Sequence, residues 1–329
     1  MPLLEFDQVG KIYGLRESGS AAVPGGTGRR ALRALSGISL SISKGESIGI
    51  VGESGAGKST LAAIATGQTF PTTGRIIVDG QERDHSAASR RSCARKVQLV
   101  WQDAAGSVDP RLTVESILAE PLLVHGRSRK EAGVRIDSLL SEVGLPAEFL
   151  CRYPHELSGG ELQRLVIARA LSLDPELLIC DEPASALDAV SKLRVAGLLL
   201  SLQKRRNMAL MIIAHDLPLV RRTVSEIAVM YRGTIVELGP AELLTGNPLH
   251  PYTRQLFASD PSLNFRNQVA AAPIAATRTS SQTLLKRSTT EGRGCVFQSD
   301  CDDLRTACAQ TNPGLIKLRD GRQIACVLA

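Results

Sequence analysis

Between residues 52 and 60 the chain reads Gly52-Glu53-Ser54-Gly55-Ala56-Gly57-Lys58-Ser59-Thr60, and no other stretch limits the accessible folds as strongly. The spacing is that of a phosphate-binding loop, a glycine-rich turn that closes on a lysine and a hydroxyl residue. Glycines at 52, 55 and 57 let successive backbone N–H groups curl around phosphate oxygens without Cβ clashes. Lys58 can then reach β- and γ-phosphates, and the Ser59 hydroxyl can sit on Mg²⁺. The apolar run Ser47–Val51 in front has strand character and Leu61–Ala65 behind has helix character, so phosphates would lie at a helix N-terminus. An ordinary glycine-rich surface turn is the competing reading, and the strand-then-helix context weighs against it.

A chain of 329 residues has room for one domain of about 240 residues and a smaller appendage. The balance of 43% hydrophobic and 22% charged residues is that of an ordinary globular protein and excludes wholesale disorder. The formal charge of +6 permits contact with anions. Its carriers, however, are scattered pairs and triplets such as Arg90-Arg91, Lys204-Arg205-Arg206 and Arg221-Arg222, which read as solvated helix ends rather than a nucleic-acid patch. Glu5 and Asp7 and the lack of an apolar core argue against a secretory leader at the N-terminus. The longest apolar runs, such as Met208–Ala214, fall far short of the ~18 residues of a membrane span. A cytosolic chain is therefore expected, with its seven cysteines reduced or bound to metal.

Along the chain, a half-buried strand is expected over 3–9, with Tyr13 on a turn beyond it, and residues 15–30 read as a Gly/Ser/Ala-rich excursion. Strands follow at 38–42, 47–51, 75–80 and 96–101, the early ones antiparallel. Residues 113–150 change to helical spacing, with Pro121 and Pro146 as breaks. Then come helix 160–172, strand 177–180, helix 189–205, strand 208–214, a helix from about 216 and short strands near 227–231 and 233–238. This alternation implies a mostly parallel sheet covered by helices. From Asn247 the pattern weakens, and 258–293 reads as an aperiodic linker.

Two further stretches carry chemistry. Leu177-Leu178-Ile179-Cys180-Asp181-Glu182 is an apolar strand ending in two carboxylates. It can deliver Asp181 beside the phosphates to hold the Mg²⁺ hydration shell, and Glu182 one residue further toward the γ-phosphate and a water. A helix N-cap is the competing reading of that acidic pair. Leu157-Ser158-Gly159-Gly160-Glu161-Leu162-Gln163-Arg164 opens a helix with Leu162, Leu165, Val166 and Ala170 on one core face. Ser158 sits at its N-cap, and the glycines bare N–H groups that could bind an anion.

On these residues the chain resembles the ATP-binding-cassette (ABC) ATPases. Gly52–Thr60, Gln102, the signature Leu157–Gln163, Asp181-Glu182, Ser185-Ala186-Leu187-Asp188 and His215 stand in that family's usual order. The resemblance covers about residues 3–257 and continues into the tail. There Asn247-Pro248-Leu249-His250-Pro251-Tyr252-Thr253, Gly294–Phe297, Cys301, Cys308, Pro313 and Cys326 are similar to the C-terminal extension of the dipeptide, oligopeptide and nickel importer subgroup. Val100–Asp103 and Val108–Val114 also look like that subgroup, with Trp101 and Asp109 where it commonly has Phe and Asn.

The resemblance implies an α/β P-loop NTPase fold of ABC type: a mostly parallel core sheet, an antiparallel β subdomain, a helical insertion and a small cysteine-containing extension. The implied boundaries are 1–246 for the ATPase domain, with a helical subdomain at about 113–172, and 247–329 for the extension. Tyr13 would stack on adenine. Gln102 would contact Mg²⁺ or the attacking water while its loop follows a membrane partner, Glu182 would polarise the water, and His215 would hydrogen-bond the γ-phosphate. Ser158, Gly159 and Gly160 would close over ATP held by an opposing cassette. The implied function is that of the ATP-hydrolysing subunit of a binding-protein-dependent importer of di- and oligopeptides. Nickel or metal-chelate uptake is the nearest alternative, and a non-transport or non-hydrolysing cassette a more distant one. ATP and Mg²⁺ are the implied ligands. The implied partners are a second cassette, most simply a distinct chain, two transmembrane permease subunits and an extracytoplasmic binding protein, with no nucleic acid. The implied location is the cytoplasmic face of the cell membrane.

Cys295, Cys301, Cys308 and Cys326 cluster within 32 residues, separated by five, six and seventeen positions, whereas Cys93, Cys151 and Cys180 lie apart. Four thiolates in a segment with few large apolar residues fit a stapling metal, a [4Fe–4S] cluster or Zn²⁺. The absence of short C-x₂-C hooks tilts the expectation toward the cluster, and reduced, packed cysteines are the competing reading.

Overall fold

The computed structural model describes residues 1–15, 30–260 and 294–328. The excursion expected at 15–30 and the aperiodic segment at 258–293 lie outside these residues except at their ends. The first half of the chain runs β1 (Leu4–Leu15), β2 (Arg30–Ile42), β3 (Ser47–Val51), α1 (Lys58–Thr66), β4 (Thr73–Val78), β5 (Gln81–Glu82), α2 (Ala87–Lys96) and β6 (Val97–Val100). Three helices form the insertion, α3 (Val114–Val124), α4 (Arg129–Val143) and α5 (Gly159–Leu171), with a 3₁₀ turn at Ala147–Cys151 behind Pro146. The chain then alternates β7 (Leu177–Asp181), α6 (Ala189–Arg206), β8 (Ala209–Ile213), α7 (Leu217–Thr223), β9 (Glu226–Tyr231) and β10 (Thr234–Pro240). It finishes with α8 (Ala241–Gly246), α9 (Pro251–Ala258), α10 (Thr306–Gln310), β11 (Ile316–Lys317) and β12 (Gln323–Ile324).

Two sheets result. The smaller is antiparallel, in the order β2-β1-β4-β5. The larger has eight strands in the order β11-β12-β10-β9-β3-β8-β7-β6, and β9, β3, β8, β7 and β6 within it run parallel. A parallel strand buried on both faces shows no apolar/polar alternation; its period of two appears instead as a division between two cores. On β8, Leu210 and Ile212 join the core beneath the helices, while Ala209, Met211 and Ile213 join the core shared with the antiparallel sheet and α1. On β7, Leu178 and Cys180 take the first side, and Leu177 and Ile179 the second.

Two local expectations are corrected. Tyr13 is not on a turn but inside β1, opposite Leu32 of β2, because pairing continues well past Gly10 through irregularities in register. Pro121 does not break a helix but sits inside α3. Burial of Ile117, Leu118 and Leu122 beneath α4 and α5 outweighs the single backbone bond that a proline removes.

The tail joins the main sheet. β12 pairs antiparallel with β10, Glu237 opposite Ile324, and β11 lies outside it. Phe297 is buried in the helix-side core, against Tyr231, Tyr252 and His250.

Candidate nucleotide site

Parallel strands deliver their carboxyl ends to one edge, and ligands of open α/β sheets bind there. β3 ends at the phosphate loop, β7 at Asp181-Glu182, β8 just before His215 and β6 just before Gln102. The register aligns these ends, with Ile50 opposite Ile213, Ile213 opposite Asp181, and Cys180 opposite Val100.

The loop geometry demands two of its glycines. Gly52 (φ 150°) would drive a Cβ into the carbonyl oxygen of Met230, and Gly57 (φ 103°) would drive one into that of Ala34. Gly57 also stands at the N-cap of α1 with no side chain capping the helix and no acid in its first turn, so that helix end keeps its partial positive charge. Lys58, only 8% exposed, folds back along the loop and donates to the Gly52 carbonyl at 2.7 Å and the Glu53 carbonyl at 2.9 Å. Burial lowers the Lys58 pKa, against the pull of Glu182, Asp181 and Glu53.

Asp181 is also buried, and loss of hydration raises its pKa, with Glu182 adding to the rise. A bond from the Ser59 hydroxyl and the charge of Lys58 act the other way. A hydroxyl, a desolvated carboxylate and the nearby Gln102 amide are hard oxygen donors that suit Mg²⁺, and a cation there would relieve the crowding of Asp181 and Glu182. Glu182 itself takes a left-handed backbone (φ 49°), held by its N–H to the Ile213 carbonyl at 2.7 Å. Both of its carboxylate oxygens are engaged: Gln102 Nε2 donates to Oε2 at 2.9 Å, and His215 Nδ1 lies 3.2 Å from Oε1. His215 remains 63% exposed and Glu182 19%, so the pair opens to the surface from the histidine side.

The structure thus brings together the residues 52–60, Gln102, Asp181, Glu182 and His215, drawn from four separate segments. Ser158, Gly159 and Gly160 stand apart from this group, at the start of α5, which packs on α3, α4, α6 and β6. There Ser158 accepts from the Glu161 N–H, and the Glu161 carboxylate takes both the Ser158 N–H at 2.8 Å and its hydroxyl at 2.7 Å, a complete capping box. Tyr13 carries the Lys11 ammonium over its ring at 5.1 Å. Asp188 caps α6 through Val190 and Ser191.

One contact was not foreseen. The Tyr252 hydroxyl, at the start of α9, accepts from the Glu53 N–H at 3.0 Å. The only signal in the sequence is an aromatic residue in a segment otherwise marked by its resemblance.

The tail cysteines lie near one another. Burial raises the Cys301 and Cys326 thiols, and neighbouring thiols among Cys295, Cys308, Cys301 and Cys326 push further in the same direction. Among the described residues, however, no three His, Cys, Asp or Glu side chains are arranged to hold a metal ion. The core that the tail lacks on its own comes from the ATPase domain, through the seat of Phe297 on Tyr231 and Tyr252.

Known proteins align with this arrangement. Residues 35–185 match the ABC transporter family, and residues 236–308 match the oligopeptide/dipeptide transporter C-terminal region. A putative peptide import ATP-binding protein of Brucella abortus is 41% identical over 92% of this chain and 88% of its own length. A di/tripeptide transport ATP-binding protein of Pseudomonas aeruginosa is 38% identical over 91% of each. Among solved structures, CbiO1 of Clostridium perfringens, described as part of an ABC transporter complex, superposes with TM-score 0.64 at 26% identity, covering 75% of this chain and 91% of that one. A dimeric ATP-binding cassette in a post-hydrolysis state with ADP and Pi gives 0.63 at 26%, covering 72% and 98%. The chain belongs to the ABC transporter family as one of its ATP-hydrolysing subunits.

Proposed function

We propose that this chain binds and hydrolyses ATP with Mg²⁺ to energise the import of di- and oligopeptides through membrane-spanning partner subunits. The observation that carries the hydrolytic part is the convergence of Gln102 and His215 on the two oxygens of Glu182, beside the phosphate loop. The Lys58 ammonium, held beside the loop carbonyls, would reach the β- and γ-phosphate oxygens of ATP. Ser59, Asp181 and Gln102 would hold the Mg²⁺, which supplies charge neutralisation at the phosphates. Glu182, parted from His215 by the arriving γ-phosphate, would take the proton of the attacking water, and His215 would turn to the phosphate. Tyr13 would stack on the adenine. Ser158, Gly159 and Gly160, at the start of α5, would complete the site of a second cassette.

The peptide substrate is supported by the names of the relatives and by the match of the tail to the oligopeptide/dipeptide region. Among the described residues no helix is long and apolar enough to cross a membrane. The spanning partners are accordingly proposed to be two permease chains, with a second, distinct cassette and an extracytoplasmic binding protein, and the place of this chain at the inner face of the membrane. The boundaries 1–246 and 247–329 serve this scheme as catalytic domain and extension.

In the assembled transporter, Glu182→Gln is expected to retain ATP binding and lose turnover by roughly 10²–10⁴-fold, accumulating a closed pair of cassettes. Wild-type turnover in that variant would refute the role of the carboxylate. Cys295, Cys301, Cys308 and Cys326 are proposed as the ligands of a metal in the tail, a [4Fe–4S] cluster or Zn²⁺. Protein purified without chelators and found free of iron and zinc would exclude it.

A further inference from the structure

The Gly52–Glu53 peptide unit is gripped at both ends. Its carbonyl oxygen, on Gly52, accepts from Lys58 Nζ at 2.7 Å, and its N–H, on Glu53, donates to the Tyr252 hydroxyl at 3.0 Å. The two grips differ in kind. Lys58 Nζ also serves the Glu53 carbonyl and would share its three donors with the phosphates, whereas the Tyr252 hydroxyl holds the N–H end of that peptide plane from outside the loop. Gly52 lacks a Cβ and offers little resistance of its own. A flipped plane would turn a carbonyl oxygen toward the phosphate oxygens, like partial charges facing each other.

Tyr252 is in turn anchored to the end of the chain. Its ring lies against Tyr231 at 4.6 Å and Phe297 at 5.5 Å between centroids. Its backbone N–H donates to Nδ1 of the buried His250 at 3.1 Å, and the His250 ring in turn lies against Phe297 at 5.7 Å between centroids. Burial holds His250 near pKa 4 and pushes the Tyr252 phenol up to about 12, so both stay neutral near pH 7 and keep these bonds. A continuous set of contacts therefore runs from the tail, through His250 and Tyr252, to the second residue of the phosphate loop.

We propose that the C-terminal region is a strut for the phosphate loop, with Tyr252 as the positioning residue that fixes the Gly52–Glu53 peptide while Lys58 is shared with ATP. The proposal rests on the reading of residues 52–60 as the ATP phosphate loop. It assigns to the tail a direct part in nucleotide binding.

The test is equilibrium binding of ATP with Mg²⁺ to the full chain, together with hydrogen exchange of the Glu53 amide and the thermal unfolding midpoint. Tyr252→Phe keeps the ring and removes only the acceptor. It is expected to weaken ATP binding about three- to tenfold, the value of one hydrogen bond, and to speed Glu53 exchange by a similar factor. Phe297→Leu, which touches no loop atom, should move both readings in the same direction by less, and it serves as the decisive variant if Tyr252→Phe does not fold. Lys58→Ala separates the two claims. If it abolishes ATP binding while Tyr252→Phe and Phe297→Leu bind as wild type, the strut is refuted and the loop reading stands. If Lys58→Ala also binds as wild type, the loop reading fails and the strut with it. A lower unfolding midpoint with unchanged ATP affinity would reduce Tyr252 to packing and refute its positioning role.

Discussion

Two helices in this molecule begin at glycine-rich turns, and they treat their exposed N–H groups in opposite ways. At α1, Gly57 offers no capping side chain and the first turn holds no acid, so the positive end of the helix is left open toward the place a phosphate would take. At α5, Ser158 and Glu161 close a reciprocal cap, and a carboxylate already lies where an anion would bind. The first end can only be completed by a ligand. The second is stable alone and must share or surrender its Glu161 bonds if another cassette's nucleotide is to reach Ser158. A shared richness in glycine thus conceals unequal readiness, and the difference fits a helix that binds its own nucleotide and another that engages one only on assembly.

The comparison can be broken most severely at α1. Lys58→Ala, measured by nucleotide binding and turnover, is expected to lower ATP affinity by about a hundredfold or more, since two charge-assisted bonds to phosphate are lost. Ser158→Arg should reduce turnover of the assembled complex by roughly tenfold or more, through loss of positioned donors at the partner's site. A site-resolved measurement should find ATP affinity at the loop 52–60 almost unchanged. Equal loss at both sites would dissolve the distinction between the two helix ends. Glu161→Ala sharpens it at the smallest scale. Loss of the capping box should cost about 1 kcal/mol of stability and lower the unfolding midpoint by about 2–4 °C, and it should leave ATP binding in the isolated chain alone.

What was legible in the sequence divides along the same physical line. The phosphate loop, the carboxylates closing β7 and the alternation of strand and helix are encoded by neighbours in sequence, through glycine spacing, apolar runs and caps, and all of them could be read directly. The extent of β1 past Gly10 was missed because its register shifts disguise the alternation. Pro121 was misread because its local cost is overridden by buried contacts from two other helices. The bond from Glu53 to Tyr252 spans 199 positions, and nothing local to either residue announces it. β11 and β12 are two residues each, too short to carry any periodicity. The convergence of Gln102, Glu182 and His215 lay between these cases, since the motif order named the residues while only the strand register brought them within bonding distance.

The pairing of β12 with β10 has a consequence for the behaviour of the chain in a crowded cell. Without that pairing, seven buried or half-buried residues of β10 would form the rim of the large sheet, presenting a row of unsatisfied amides and carbonyls to any extended chain nearby. The two-residue strands that cap this rim are too short to recruit another strand, and Lys317 places a charge on the outermost one. Removal of the segment after Ala258 would therefore bring self-association in addition to a weakened nucleotide site, and the tail doubles as a guard against runaway sheet growth.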